Sequence, residues 1–371
     1  MKALREKIEQ EIAERGPIRF SRYMELCLYD GEFGYYSRNA AQFGKAGDFY
    51  TSSDVHAVFG RLLARQFDEM WRVLGCPANI VLKELGPGRG LFAQDVLDWS
   101  EKKFPDFFRA LQYVLVESSP ALRKRISGTL SRHLESGKAA FSTDNNILDP
   151  NSIVFANEFF DALPVEVLSA QGALRIDARD GRFVETWAAP SAEGLEFLDR
   201  YSIHPEGDER VEVPLQSQAQ MEMAASMEGG FIVVIDYGYT RPEQLAGRHR
   251  GTLKAIRQHS VSANPYEAPG EQDITADVNF TALAAAAEKQ GFHTQKVITQ
   301  SQFLLGIGEA NQFADAFEDC RLPQERAKVA LQLKHLVTPA GMGESFHVLV
   351  ASKEVAAGLV EKLSGLSFGR R

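Results

Sequence analysis

The sequence has little cysteine, no excess of positive charge and no long apolar run, and each shortage excludes a class of protein. The three cysteines, Cys27, Cys76 and Cys320, lie far apart and form no CxxC pair, which disfavours a metal site or a redox pair and indicates a reducing compartment. The net charge is −9, with 41 basic and 50 acidic residues, so a nucleic acid is not expected as the partner.

No apolar stretch approaches the roughly 18 residues that a membrane-spanning helix needs. The first residues, MKALREKIEQEIAERG, are charged throughout and lack the apolar core of a signal peptide. Leu4, Ile8 and Ile12 are four residues apart, which predicts an amphipathic helix that ends at Gly16. We therefore expect a cytoplasmic protein without a membrane-inserted segment.

Short apolar runs that end in polar residues alternate with helical patterns from residue 80 onward. In chain order the runs are NIVLKEL, QYVLVES, AAFSTD, SIVFANE and GFIVVIDYG. Continuous apolar strands are typical of a parallel sheet covered on both faces, and their alternation with helices predicts a doubly wound, mostly parallel α/β sheet. Such a sheet binds its ligand beyond the carboxyl ends of its strands. The site is therefore expected near Glu84, Glu117, Asn157 and Asp236.

Three regions are expected from these patterns. Residues 1–75 form a helical N-terminal extension, residues 76–163 and 216–371 form a Rossmann-like core, and residues 164–215 form a small inserted lobe. In the lobe, VEVLSAQGALRIDARDGRFVETW predicts antiparallel strands joined at Gly172 and Gly181. PALRKRISGTLSRHL predicts one helix, and FHTQKVIT and ESFHVLVAS predict the last strands of the sheet.

The stretch ELGPGRG, from Glu84 to Gly90, lies between the first predicted strand and a helix. Leu91 follows its last glycine where a P-loop needs lysine, which excludes a P-loop. Gly86, Gly88 and Gly90 give G-x-G-x-G, so the dinucleotide pattern is matched only in part. A carboxylate at Glu84 would repel a pyrophosphate, whereas it would attract the sulfonium and ammonium of S-adenosylmethionine. S-adenosyl-L-methionine is therefore the favoured cofactor.

Further cofactor contacts are expected at the ends of the second and third strands. Glu117 can accept hydrogen bonds from both ribose hydroxyls, with Ser118 beside it as a second contact. Alternatively, Glu117 caps the helix that begins at Pro120, a role that Ser118 or Ser119 could fill instead. Asp144 is a candidate contact of the adenine amino group, and a structural turn is the alternative.

Several longer motifs resemble those of the MidA-like class I methyltransferases, whose mitochondrial members assist the assembly of respiratory complex I. The matching segments are GPIRFSRYMELCLYDGEFGYY, GDFYTSSDVHAVFG, ELGPGRG, LVESSPALR, ANEFFDALPVEV, VVIDYGY, PGEQDITADVNF, FLLGIG and MGESFHVL. The resemblance covers nearly the whole chain. It implies an S-adenosylmethionine-dependent enzyme that methylates an arginine of a protein substrate, and it makes a complex I subunit a candidate substrate.

A guanidinium acceptor needs carboxylates that hold it and orient its nitrogen. The segment ANEFFDALP supplies Asn157, Glu158 and Asp161 at the end of the fourth strand. We expect Glu158 to be the main acceptor-binding carboxylate and Asp161 the second, with Asn157 beside both cofactor and acceptor. Loop capping is the alternative for the two carboxylates.

Two loops are expected to cover the site. The resemblance implies that the loop with Thr51 and Ser52 folds over the cofactor, and the alternative is a cap of the following helix. His259 lies in a second loop and is either catalytic or structural. In this interpretation the inserted lobe docks the substrate. A small-molecule methyltransferase and a non-catalytic assembly chaperone remain alternative functions.

Overall fold

A computed structural model of the chain describes residues 2–38, 57–142, 151–257, 260–262 and 264–368. We find no helix in these ranges whose length and hydropathy would let it span a bilayer. The chain forms two compact units. Unit 1 contains Met1–Phe49, Phe159–Met221 and Tyr237–Ala286, and unit 2 contains Tyr50–Glu158, Glu222–Asp236 and Ala287–Arg371.

The helices follow in chain order. They are α1 (Lys2–Arg15), α2 (Phe20–Tyr29), α3 (Tyr35–Arg38), α4 (Ala57–Val73), α5 (Leu91–Lys103), α6 (Pro105–Ala110), α7 (Pro120–Thr129), α8 (Ser131–Glu135), α9 (Ala192–Tyr201), α10 (Leu215–Ala224), α11 (Arg241–Leu245), α12 (Phe280–Lys289), α13 (Gln300–Glu309), α14 (Ala314–Phe317), α15 (Pro323–Val337) and α16 (Ala357–Val360). A 3₁₀ turn, Ser364–Leu366, follows α16.

The strands are numbered in the same way. They are β1 (Ile18–Arg19), β2 (Ile80–Leu85), β3 (Leu111–Val116), β4 (Ala139–Ser142), β5 (Ser152–Asn157), β6 (Glu166–Ser169), β7 (Gly172–Arg179), β8 (Arg182–Ala188), β9 (Arg210–Val213), β10 (Gly230–Tyr239), β11 (Lys254–Arg257), β12 (Ser260–Ser262), β13 (Asp273–Thr275), β14 (Val278–Asn279), β15 (His293–Thr294), β16 (Ile298–Thr299) and β17 (Phe346–Lys353).

Unit 2 is built on a mostly parallel sheet. Its strand order is β15-β17-β10-β5-β2-β3-β4, with β16 paired to β17. The pairs from β10 through β5, β2 and β3 to β4 are all parallel, whereas β15 and β16 run antiparallel to β17. The predicted α/β class with a mostly parallel sheet is therefore confirmed.

Aromatic side chains fix the helix that follows the glycine turn onto this sheet. Phe92 of α5 stacks on Phe155 of β5 with ring centroids 4.5 Å apart, and Phe67 of α4 meets Phe155 edge-on at 5.5 Å. All three side chains are buried. Each such pair adds about 0.5–1.5 kcal/mol to the area it buries, so the start of α5 is held firmly against β5.

The sequence predicted one continuous helix over PALRKRISGTLSRHL, and this was wrong because the structure has two helices there. α7 ends before Leu130, whose φ of −106° and ψ of 19° lie outside the helical range, and α8 begins after it. Leu130 is fully buried, and Thr129 turns its hydroxyl back to the Arg125 carbonyl at 3.4 Å. Such back-bonding competes with the helix ladder and bends helices.

Unit 1 contains the inserted strands and the N-terminal helices. The predicted turns at Gln171-Gly172 and Asp180-Gly181 are confirmed, because β6 pairs with β7 and β7 with β8, both antiparallel, with Ser169 opposite Gly172 and Arg179 opposite Arg182. β1 pairs with β7 and β9 with β6. The predicted amphipathic α1 is also confirmed, since Leu4, Ile8 and Ile12 are buried in the core of this unit.

Candidate functional site

The carboxyl ends of the parallel strands of unit 2 are aligned in register. Leu85 pairs with Val116 on one side and with Ala156 on the other. Asn157 pairs in turn with Ile235. The chain therefore leaves the sheet along one edge, and the first residues at or beyond that edge are Gly86, Glu117, Asn157 and Asp236.

The three glycines of the turn all have left-handed backbones, but they face different surroundings. The φ angles are 64° at Gly86, 52° at Gly88 and 75° at Gly90. A Cβ at Gly88 would meet no heavy atom of the described residues within 4 Å, whereas one at Gly90 would lie 3.1 Å from Cγ2 of Ile126. Gly88 thus borders open space, and Gly90 allows close packing of a helix. Gly90 is also the N-cap of α5 and offers no capping side chain to its first N–H groups.

Glu84 lies inside the structure rather than at an open strand end. It is 4% exposed, and its Oε2 accepts a hydrogen bond of 2.8 Å from the Tyr113 hydroxyl. Burial raises the pKa of its carboxyl to about 8, so this carboxyl is mainly neutral at pH 7. The sequence predicted an exposed carboxylate at Glu84 that attracts the cofactor by its charge, and this was wrong. Glu84 instead accepts a buried hydrogen bond that fixes the end of the strand before the glycines.

Glu117 is partly engaged by the backbone that follows it. Its Oε1 accepts a hydrogen bond of 2.7 Å from the Ser119 N–H, and burial raises the pKa of its carboxyl. Ser119 is the N-cap of α7, as its Oγ accepts from the Leu122 N–H at 3.4 Å. Ser118 is exposed beside them. The cap predicted for Ser118 or Ser119 is thus Ser119, and Glu117 is held in a fixed orientation at the sheet edge.

Asn157 and Glu158 form a second polar group at this edge. The Asn157 amide donates to Oε1 of Glu158 at 3.2 Å, and the Glu158 N–H donates to the Ile235 carbonyl at 3.0 Å. Glu158 has a φ of 49°, a left-handed conformation that is uncommon for a residue with a side chain. The buried Oδ1 of Asn157 receives no hydrogen bond from any residue in the described ranges.

Asp161 belongs to a buried polar cluster within unit 1. Its carbonyl accepts from the Ala276 N–H at 3.0 Å, and the residue is 4% exposed. The Tyr36 hydroxyl donates to both carboxylate oxygens of Asp273, at 3.0 and 3.1 Å. Burial, followed by the charges of Asp273 and other neighbours that include Asp161, raises the pKa of the Tyr36 hydroxyl well above its usual range.

Four predicted site residues lie outside the described residues. They are Thr51, Ser52, Asp144 and His259. Their assignments stay predictions.

Two contacts were not predicted from the sequence, Tyr36 with Asp273 and Tyr113 with Glu84. Tyr36 and Asp273 are 237 residues apart, and only their membership in two of the resembling motifs, DGEFGYY and PGEQDIT, could have indicated them. Tyr113 could have been found from register. Tyr113 pairs with Leu82 of the neighbouring strand. Side chains two residues apart along a strand point to the same face of the sheet, so Glu84 lies on the same face as Leu82 and Tyr113.

The residues at the sheet edge of unit 2 fit S-adenosyl-L-methionine. Open space beside Gly88 admits a ligand close to the backbone, and the free Oδ1 of Asn157 can accept a hydrogen bond from a cationic or hydroxyl donor. The carboxyl of Glu117, which the Ser119 N–H orients, can accept hydrogen bonds from hydroxyl donors such as those of a ribose. Within the described ranges we find no group of three or more histidine, cysteine or acidic side chains that could hold a metal ion.

Comparisons with known proteins agree with this fit. Residues 62–298 match the family described as S-adenosyl-L-methionine-dependent methyltransferase. The mitochondrial protein arginine methyltransferase NDUFAF7 homolog of Drosophila melanogaster is 29% identical over 99% of this chain and 88% of its own length. The mitochondrial protein arginine methyltransferase NDUFAF7 of Xenopus laevis is 31% identical over 80% of this chain and 72% of its own length.

Among solved structures, this chain is similar to a Burkholderia thailandensis protein crystallised with S-adenosyl-homocysteine. The TM-score is 0.83 at 27% identity, over 96% of this chain and 93% of that chain. These matches confirm the family resemblance and the predicted cofactor, while the individual site residues stay predictions.

Proposed function

Since the chain belongs to the family of S-adenosyl-L-methionine-dependent methyltransferases, we propose that it methylates an arginine side chain of a protein substrate. Two findings support this acceptor. The Drosophila melanogaster and Xenopus laevis relatives are named protein arginine methyltransferases. The chain also places a carboxylate with an unusual backbone, Glu158, at the sheet edge of the glycine turn.

We assign the cofactor to the carboxyl edge of the parallel sheet. The open side of Gly88 and the start of α5 receive its methionine part, and Glu117 with Ser118 receives the ribose. Asn157 offers its Oδ1 to a cationic donor. Gly86 and Gly90 shape the turn, and Glu84 holds the strand before it through Tyr113. Thr51, Ser52 and Asp144 stay predicted contacts.

The left-handed backbone of Glu158 is the main observation in support of this acceptor site. A residue with a side chain costs about 1–2 kcal/mol in this conformation, and such residues cluster at functional sites. The neighbouring Asn157 amide and the Ile235 carbonyl hold Glu158 in place through its side chain and its N–H. The fold thus maintains a strained backbone that fixes the direction of one carboxylate.

Such a carboxylate suits a guanidinium. The planar fork of donors pairs well with carboxylate oxygens, and the pairing both holds the group and sets the direction of the attacking nitrogen. When bound, S-adenosyl-L-methionine supplies an electrophilic methyl group on a sulfonium. Arginine is protonated at neutral pH, so the nitrogen that gains the methyl group loses one proton, and Glu158 is the group we assign to accept it. Asp161 is assigned as the second acceptor carboxylate.

The finer assignments rest on the sequence alone. A subunit of respiratory complex I is the candidate substrate that the resemblance implies, and a cytoplasmic location is the expectation drawn from the charged first residues and the lack of long apolar runs. His259 is retained as a candidate catalytic residue of the covering loop.

A labelling experiment tests the acceptor class. The purified protein is incubated with methyl-labelled S-adenosylmethionine and a lysate from a strain that lacks the protein, followed by acid hydrolysis. Label in methylarginine supports the proposal. Label in another amino acid, or only in small molecules, contradicts it, and cofactor binding without any label supports a non-catalytic chaperone.

The variant Glu158→Gln tests the assigned carboxylate. It should bind S-adenosylhomocysteine as the wild type does but transfer label at least about 100-fold more slowly, because a neutral amide neither neutralises the guanidinium nor takes its proton. Glu354→Gln is a matched control, since Glu354 is an exposed glutamate with a left-handed φ of 57°. Equal turnover of Glu158→Gln and the control would remove Glu158 from this role.

A further inference from the structure

A groove lies in the inserted lobe of unit 1, between the β6–β7 turn, the end of β8 and α9, and its lining combines apolar side chains with the polar Ser169, Gln171 and His204. It encloses about 520 Å³ and contains none of the predicted cofactor or acceptor residues. We call it the lobe groove and define it by Gly172, Trp187, Ala188, Leu195, Leu198 and Pro205.

The lining of the lobe groove includes both small residues and bulky apolar ones. A Cβ at Gly172 would lie 2.3 Å from the Ala188 carbonyl, so the two strands approach too closely there for any larger residue. Leu195 forms part of one wall and is 41% exposed, although it is large and apolar. Trp187 is half-buried, with the Arg210 guanidinium 5.5 Å from its ring. A recess of this kind suits one or two apolar side chains of a partner.

The helix and loop on one side of the lobe groove are strongly acidic. From Ala192 to residue 209 the chain has a single arginine, Arg200, against six carboxylates: Glu193, Glu196, Asp199, Glu206, Asp208 and Glu209. This stretch directly supplies the wall residues Leu195 and Pro205. A positively charged partner is therefore attracted to the groove.

Some of these carboxylates are already paired within unit 1. Arg200 pairs with Glu196 at 2.9 Å, Arg250 contacts Glu209, and His204 contacts Asp199 at 2.8 Å. The remaining acids have no basic partner in the described part of the chain and are exposed; they are Glu193, Glu206 and Asp208. Three exposed carboxylates without a basic partner in the described ranges therefore remain in the stretch that supplies Leu195 and Pro205 to the groove.

We propose that the lobe groove binds an apolar side chain within a basic segment of the protein substrate, and this rests on the proposed function. Charge complementarity favours this occupant, because an arginine substrate lies in a segment that is basic at least at the reacting residue. A second copy of this chain is disfavoured by its net charge of −9, and an anionic lipid surface would meet the same repulsion. The lobe groove would thus supply affinity for the substrate apart from the chemistry.

Peptide binding tests the lobe groove without any methyl transfer. The probe is a fluorescein-labelled synthetic peptide with a leucine–tryptophan pair between arginines and lysines, and its binding is followed by fluorescence anisotropy. One comparison peptide has serines in place of the apolar pair, and another has glutamates in place of the basic residues. We expect the basic apolar peptide to bind at least about tenfold more tightly than either comparison peptide.

Leu195→Arg is the test variant, because it fills the groove with a charge that repels the probe. It should weaken probe binding at least about tenfold, whereas Leu195→Met should bind as the wild type does. Leu245→Arg is the matched control, since Leu245 is 60% exposed and lies outside the groove. A thermal unfolding curve checks that each variant is folded.

Three results would overturn the proposal. They are the absence of binding to the wild type up to about 1 mM probe, equal binding by wild type and Leu195→Arg, and equal loss in Leu195→Arg and Leu245→Arg. Methylarginine in the labelled lysate is measured separately. Failure of the peptide test with successful labelling therefore rejects the groove alone, and failure of labelling rejects the proposed function.

Discussion

Replacing Gly88 with valine tests the assigned cofactor site most directly. Gly88 has a φ of 52°, and in the part of the chain that the structure describes no heavy atom lies within 4 Å of a Cβ placed there. The fold can therefore accept the side chain, and the loss of stability is that of a left-handed backbone, about 1–2 kcal/mol for an L residue. The valine itself would stand in the open space that we assign to the cofactor.

Isothermal titration calorimetry with S-adenosylhomocysteine measures the consequence. We expect the Kd of Gly88→Val to rise at least about 100-fold, which corresponds to about 2.8 kcal/mol. The unfolding temperature should fall by no more than about 8 °C, because each kcal/mol shifts it by about 2–4 °C in domains of this size class. Binding would thus be lost from a protein that is still folded.

The variant Gly137→Val separates the effect of a blocked cofactor site from the effect of backbone strain. Gly137 also belongs to unit 2, has a φ of 73°, and offers open space to a Cβ in the turn between α8 and β4. This variant should lose similar stability and bind S-adenosylhomocysteine normally. The site assignment is refuted if Gly88→Val binds within about threefold of the wild type, or if both variants lose binding equally.

Two further predictions concern the buried and the strained glutamate. Burial raises the pKa of Glu84 from 4.5 to about 8, so the folded protein keeps a proton that the unfolded chain has released, and stability should fall as pH rises from about 4.5 to 8. Glu84→Gln should flatten this part of the unfolding-temperature profile, and parallel curves for variant and wild type would contradict it. Glu158→Gly should raise the free energy of unfolding by about 1 kcal/mol while abolishing transfer, because glycine adopts positive φ without strain. Urea unfolding beside Glu354→Gly checks this, and a loss of stability in Glu158→Gly would show that its backbone is not strained.

The sheet of unit 2 could be predicted from the sequence because each strand is a short apolar run between clear helix signals. The turns at Gly172 and Gly181 were equally accessible, since each separates two strand patterns by a residue that tolerates positive φ. The cofactor was predicted correctly from Glu84 beside the glycine turn, but the premise of an exposed carboxylate was wrong because Glu84 is buried. Its burial depends on Tyr113 from a neighbouring strand, and a local pattern carries no such information.

Contacts between distant parts of the chain could not be predicted from the sequence. The pairing of Ile18 with Ile176 joins the N-terminal segment to the inserted strands, and the hydrogen bond from Tyr36 to Asp273 joins α3 to β13. Neither has a periodicity or a spacing that indicates its partner. The strain at Glu158 was also invisible, because glutamate is rarely chosen for a positive φ and only the backbone of the folded chain reveals it.

Gly88 and Gly90 belong to one sequence motif, but different surroundings restrict the two positions. A Cβ at Gly90 would press on Ile126 at 3.1 Å and on Leu130 at 3.4 Å, both from the helical segment that follows the second strand. A side chain at position 88 would enter the space that we assign to the cofactor, whereas a side chain at position 90 would press on a neighbouring helical segment. An alanine at position 90 would meet two costs, the contacts with Ile126 and Leu130 and the left-handed φ of 75°, and a smaller residue at position 126 would relieve only part of the first. Substitutions in this one motif should therefore differ in effect, with a loss of cofactor binding at position 88 and a loss of stability at position 90.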